Sequence, residues 1–128
     1  MTISGVARPA AGLLFAALLL AGCQPEPLVQ NSRPRAPSVT GPEFVLLGDT
    51  AHFQVTVYDP DGDQLRVFVA WGDGDTADFG EFAYSGQVCR FSHRYRAADT
   101  FEVRARCHDL APLFSDWSSP RPVVVAIP

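Results

Sequence analysis

The stretch AHFQVTVYDPDGDQLRVFVAWGDGD, residues 51–75, decides the fold. Phe53, Val55 and Val57 alternate with His52, Gln54, Thr56 and Tyr58, and Leu65, Val67, Val69 and Trp71 make a second alternating set. Successive side chains of a strand point to opposite faces, so each set describes a strand with one apolar and one wetted face. Asp61-Gly62 and Asp73-Gly74 close the two runs. Glycine takes positive φ without steric cost and aspartate tolerates it, which makes both dipeptides tight turns.

The same pattern extends outward from this stretch. Phe101, Val103, Ala105 and Cys107 alternate with Glu102, Arg104 and Arg106, a last strand runs through residues 122–127, and a first is expected around 38–47. No segment has a 3.6-residue apolar period. Short alternating runs separated by Gly, Pro and Asp predict an all-β fold, an antiparallel immunoglobulin-like β-sandwich of seven strands over residues 38–128. With 47% apolar and 19% charged residues, the chain has the material for a core and lacks the polar excess of a disordered protein.

In order and spacing, Tyr58-Asp59-Pro60-Asp61-Gly62-Asp63, then Val69-Ala70-Trp71-Gly72-Asp73-Gly74-Asp75, then Ser92-His93-Arg94-Tyr95, then Thr100-Phe101-Glu102-Val103 and Asp109, resemble the signature of the PKD (polycystic-kidney-disease) family. That signature reads DPDGD, WDFGDG, a His-x-Tyr strand, and GTYTV ending in VTD. The resemblance spans residues 38–127 and implies a PKD-type sandwich serving as a non-catalytic module for protein or glycan interaction or for spacing. It also implies that His93 is a structural histidine near Tyr95. Ala70, Asp99 and Phe101 depart from the family's Asp, Gly and Tyr without threatening the fold.

At the other end of the chain, residues 10–21 (AAGLLFAALLLA) form an uncharged apolar run preceded by Arg8. The run is shorter than the ~20 residues needed to cross a bilayer and matches the apolar core of a secretory signal peptide. Leu20-Ala21-Gly22-Cys23 closes it and resembles the lipobox of bacterial lipoproteins. That resemblance implies a signal peptide over 1–22, removed before Cys23, and lipidation of Cys23. Several acyl chains on one residue hold a protein stably at a membrane. Gln24, where Asp retains lipoproteins in the inner membrane, favours the outer membrane of the cell envelope. Pro25, Pro27, Pro34 and Pro37 mark residues 23–37 as a lipid-bearing, Pro-rich tether.

All ten basic residues are Arg, the net charge is −4, and loss of Arg8 makes the mature chain one unit more negative. Without a clustered positive run there is no footprint for nucleic acid. Arg90, Arg94, Arg96, Arg104 and Arg106 fall on alternating positions, as solvated strand faces do.

Cys89 and Cys107 remain once Cys23 is lipidated, an even pair in an exported chain. Both fall on inward positions at equal distance from the corner near residue 98, so they are expected to bridge facing strands, with two buried free thiols as the alternative. A zinc set of Cys89, His93, Cys107 and His108 closes poorly, because Cys107 and His108 are strand neighbours with opposite orientation. Asp59, Asp61 and Asp63 alternate as calcium ligands do, but Gly62 stands fourth in the run, where an EF-hand puts its glycine sixth. A looser calcium site drawn from the acidic loops 59–63 and 73–78, with Asp73 and Asp75, is the alternative to plain solvated turns; no other cofactor is expected. His52, His93 and His108 sit on different strands and nothing resembles a nucleophile elbow or a phosphate loop, so no enzyme is expected.

Overall fold

The computed structural model describes residues 31–128; the expected signal peptide, Cys23 and the expected tether through residue 30 lie outside the described residues. Ser32–Pro128 forms one unit of eight strands. In chain order these are β1 (Ser38–Thr40), β2 (Phe44–Leu46), β3 (Ala51–Thr56), β4 (Arg66–Ala70), β5 (Thr76–Asp78), β6 (Val88–His93), β7 (Asp99–His108) and β8 (Arg121–Ala126). They make a five-stranded sheet, β2-β8-β7-β4-β5, and a three-stranded sheet, β1-β3-β6. The immunoglobulin-like β-sandwich stands as expected.

The count is eight because the stretch 38–47 divides. Gly41 passes so close to β3 that a Cβ there would lie 2.2 Å from the Phe53 ring, and Pro42 has no amide to donate to a ladder. The chain therefore leaves β3, crosses, and pairs with β8 as β2, the one parallel pairing in an otherwise antiparallel sandwich. One N-terminal stretch thus covers an edge of each sheet.

The alternation read from the sequence sets the core. Phe53, Val55 and Cys89 from the three-stranded sheet meet Val67, Val69, Val103, Ala105, Cys107, Val123 and Val125 from the other, all buried, with Trp71 at one end. Each such aliphatic or aromatic side chain contributes roughly 1.5–3 kcal/mol on burial.

Packing begins before β1. Pro34 and Pro37 are buried, the Arg35 amide donates to the Tyr58 carbonyl at 2.9 Å, and Arg33 pairs with Asp116 at 2.7 Å. The second half of the expected tether is part of the domain. Registers define two ends: Ser38 lies opposite Thr56 and Arg66 opposite His108, so loops 57–65, 84–87 and 109–113 gather at the end where the chain enters, here the proximal end. Ala70 lies opposite Arg104 and Ala51 opposite His93, which places loops 47–50, 71–75 and 94–98 at the distal end.

The expected disulfide is not formed. Cys89 and Cys107 do point inward, but both are free, buried thiols. They face each other from different sheets, Cys89 in register with Val55 and Cys107 with Val67, and each packs as a thiol in the core instead of closing a bond. Cys107 instead approaches the Arg35 carbonyl at 3.9 Å.

Candidate functional site

Three groups of side chains hold the sandwich's chemistry. The first is the distal corner that follows β4. The Trp71 amide donates to the Asp75 carbonyl at 3.1 Å, and the Asp75 amide donates to the Asp73 carboxylate at 3.0 Å, closing the turn. His93 on β6 meets Asp73 at 2.7 Å and stacks flat on Trp71, with centroids 4.7 Å apart. Tyr95 stands edge-on to His93 and donates to the Trp71 carbonyl at 2.9 Å, and Phe101 stacks on its other side at 4.5 Å. Partial burial pushes the Asp73 carboxyl up, but the hydrogen bonds from His93 and from backbone amides, with the His93 charge, outweigh it and hold its pKa below the ordinary value. Burial, with Asp73 nearby, raises the Tyr95 hydroxyl. The expectation that His93 packs by Tyr95 is met, and the cluster pins loop 71–75 across the sheets. Asp73, Asp75 and His93 lie within 4.8 Å of one another, but Asp73 is already engaged by the other two.

The second group is acidic and proximal. Asp59 folds its own loop: its carboxylate accepts the amides of Asp61 and Asp63 at 3.0 and 3.2 Å, and its amide donates to the Ser85 hydroxyl at 3.1 Å. Asp109 accepts the amides of Ala111 and Leu113 at 2.9 and 2.6 Å. Ligand oxygens of Asp59, Asp63 and Asp109 lie within 4.8 Å of one another, and Asp59 and Asp109 are buried. Desolvation and then the charges of Asp59, Asp61 and Asp109 raise the Asp63 pKa.

This arrangement corrects the expected pooling of two acidic loops. Loops 59–63 and 73–78 flank β4, and five strand residues at ~3.3 Å each hold them at opposite ends, so Asp59 and Asp61 cannot share an ion with Asp73 and Asp75. The third proximal carboxylate is Asp109, which the motif contained but its distance along the chain concealed. Asp61 turns instead to the Ser32 amide, at 2.5 Å. The four side chains weighed for zinc also separate: His93 lies in the distal corner, and His108 faces outward against Phe68 at 5.4 Å.

The third group lies on the outer face of the five-stranded sheet. Residues 114–118 run beside the last half of β7, with the Ser115 and Ser118 amides donating to the carbonyls of Cys107 and Ala105, each at 2.8 Å. This places Phe114 and Trp117 over the outward side chains of β7. The Arg106 guanidinium lies 4.6 Å from the Phe114 ring and 5.5 Å from Trp117, and Arg104 lies 5.6 Å from Trp117. His108 extends the ladder from Phe114, at 4.6 Å, to Phe68. Among the described residues neither Arg104 nor Arg106 has a carboxylate within 4.0 Å. Their alternation reads from the sequence as a bare solvated face; the aromatic cover comes from a segment without strand periodicity.

Fold and corner together define an immunoglobulin-like sandwich module. No family model matches the chain, and no curated protein does. Among solved structures, it is similar to the PKD domain of an M14-like peptidase from Thermoplasmatales archaeon SCGC AB-540-F20, with 32% identity and a TM-score of 0.71 over 76% of this chain and 99% of that domain. The chain belongs to the PKD domain family, whose members are generally non-catalytic modules. The PKD domain of the human VPS10 domain-containing receptor SorCS2 shares the fold at 19% identity and TM-score 0.52, over 94% of this chain and 97% of that one. A CARDB domain from Pyrococcus furiosus, determined in complex with di-metal ions, shares it at 14% identity and TM-score 0.54, over 75% and 96%.

Proposed function

We propose that the chain is a lipoprotein of the bacterial envelope, held at the outer membrane through Cys23, whose PKD module makes non-catalytic contact with a protein or glycan or spaces the molecules around it. The module reading is carried by one observation: a whole sandwich, aligned along 99% of a PKD domain, presents the Arg104–Trp117–Arg106–Phe114 ladder on its outer face. The Arg106 Nε–H donates to the Ser115 carbonyl at 3.1 Å, which fixes its guanidinium beside the rings, and Trp and Arg dominate interface energetics. The lipid reading is supported by the Leu20-Ala21-Gly22-Cys23 sequence after a short apolar run. Cys23→Ala is expected to abolish palmitate labelling and release the protein from the membrane fraction. A variant that keeps its label and stays in the membrane refutes the lipobox reading.

The cluster of Asp59, Asp63 and Asp109 supports a second reading, calcium binding. Calcium takes oxygen ligands at about 2.3–2.6 Å, and three carboxylates with ligand oxygens within 4.8 Å of one another, whose charges add to desolvation in raising the Asp63 pKa, gain from a neutralising cation. Calcium titration should then release heat with the native chain and not with Asp63→Asn, while Asp75→Asn at the distal end behaves as native. No heat from the native chain refutes this reading.

A further inference from the structure

Exposed large apolar side chains fall into two sets: Phe44, Leu46, Val124 and Ile127 follow the β2–β8 edge, and the larger, aromatic set lies at the proximal end. Tyr58, Phe82, Tyr84 and Leu110 ring the proximal end, with Leu110 63% and Tyr84 50% exposed on its loops. The N-terminal segment is fastened to this same end: Ser32 to Asp61, Arg33 to Asp116 and Arg35 to Tyr58. Apolar side chains gathered at one end of a small domain mark a contact surface.

We infer that the proximal end of the sandwich rests in the headgroup layer of the bilayer that holds the acyl chains of Cys23; this rests on the lipid-anchor reading proposed above. The first argument is reach. Because Ser32 is already docked, only residues 24–31 separate Cys23 from the domain, and a fully extended chain of that length spans about 30 Å at most. The anchor therefore leaves from the aromatic end and keeps it close to the lipid.

The second argument is chemistry. Tyrosine and other aromatic side chains with a polar tip settle at the membrane–water interface, where the ring meets the acyl boundary and the hydroxyl stays wet. Arg66 lies 5.3 Å over Phe82 and pairs with Asp78 at 3.5 Å, which holds a cation beside the exposed ring. Several acids of this end are engaged within the domain: Asp59 and Asp109 are buried, Asp61 accepts the Ser32 amide, and Asp116 pairs with Arg33, which leaves Asp63 and Glu81 toward solvent. The distal end mixes exposed Asp49, Asp75 and Asp99 with exposed Leu46 and Ile127, and no exposed aromatic ring belongs to its loops among the described residues.

The test uses the lipidated protein in phosphatidylethanolamine–phosphatidylglycerol vesicles, in a Trp117→Phe background where buried Trp71 is a constant baseline. Leu110→Trp puts a probe at the proximal end and Ile127→Trp, at a position 75% exposed, puts one at the C-terminus. The Leu110→Trp probe is expected to be quenched by brominated lipid and shielded severalfold from aqueous iodide, and the Ile127→Trp probe to stay open to iodide. Acylated protein in which both probes quench alike with iodide overturns the inference. So does shielding that grows with protein density on the vesicle, which would mean that a second copy covers this end. Absence of acyl mass on Cys23 instead overturns the lipid-anchor reading, and this inference falls with it.

Discussion

Replacing Gly72 by alanine probes how tightly the distal corner is built. Gly72 has φ +89°, and a Cβ on it would stand 2.8 Å from both the amide nitrogen and the carbonyl oxygen of Glu102 on β7. Those are backbone atoms of a paired strand, with Glu102 in register with Pro122 of β8, so neither can swing aside as a side chain would. Two costs combine. An L-residue forced to positive φ costs roughly 1–2 kcal/mol, and overpacking against a fixed neighbour costs about 1–3 kcal/mol more. Gly74, two residues on, separates them: its φ is +97°, but a Cβ there meets nothing within 4 Å. Gly74→Ala should therefore show only the backbone cost. Any loss of unfolded-chain entropy is common to both variants and cancels in the comparison. Urea unfolding followed by tryptophan fluorescence should place Gly72→Ala about 1–3 kcal/mol below Gly74→Ala. At roughly 4–8 °C per kcal/mol for a domain of this size, a thermal melt resolves the difference. Two variants equal within about 0.5 kcal/mol would refute the close approach of loop 71–75 to β7.

Two further outcomes follow from titrating groups. Because the Asp73 pKa is lowered in the folded state, its contribution is present above the unfolded value of 3.8 and is lost as pH falls through the lower folded value. Asp73→Asn should flatten that acid limb of the stability curve, and an unchanged limb would mean the His93 contact carries no weight. Cys89 behaves in the opposite sense: burial, then the nearby Cys107 and Glu81, push its thiol from 9.0 up to about 11. The folded chain keeps this proton while the unfolded chain releases it. Stability is therefore full below about pH 9 and falls toward pH 11, by on the order of 2 kcal/mol. Cys89→Ala should shrink the decline to the part that Cys107 and Tyr95, also raised by burial, contribute. Native protein should react slowly with thiol reagents and show two alkylatable cysteines once unfolded; a bridged peptide in non-reducing maps would refute the free pair.

The strands were legible because alternation is a local property: Phe53-x-Val55-x-Val57 commits one face to the core whatever partner it meets. Turn chemistry at Asp61-Gly62 and Asp73-Gly74 is local too, and both glycines take positive φ as expected. The His93–Trp71–Tyr95 corner was legible only through the family's motif, since neither spacing nor composition brings β6 onto the end of β4.

Contacts between distant segments were decided by the tertiary structure alone. The break at Gly41-Pro42 moves β2 to the other sheet because the Phe53 ring fills the space a side chain would need. Asp109 joins Asp59 and Asp63 because β7 runs antiparallel to β4 and ends where that strand begins. Phe114 and Trp117 cover Arg106 because an irregular segment hydrogen-bonds along β7, a course no periodicity encodes. Sequence by itself determined which side chains of each strand face inward, since strand geometry alternates them residue by residue. Which of those strands meet, at what height and with which loops above them, was decided by the register and close packing of the folded sheets, which depend on atoms far apart along the chain.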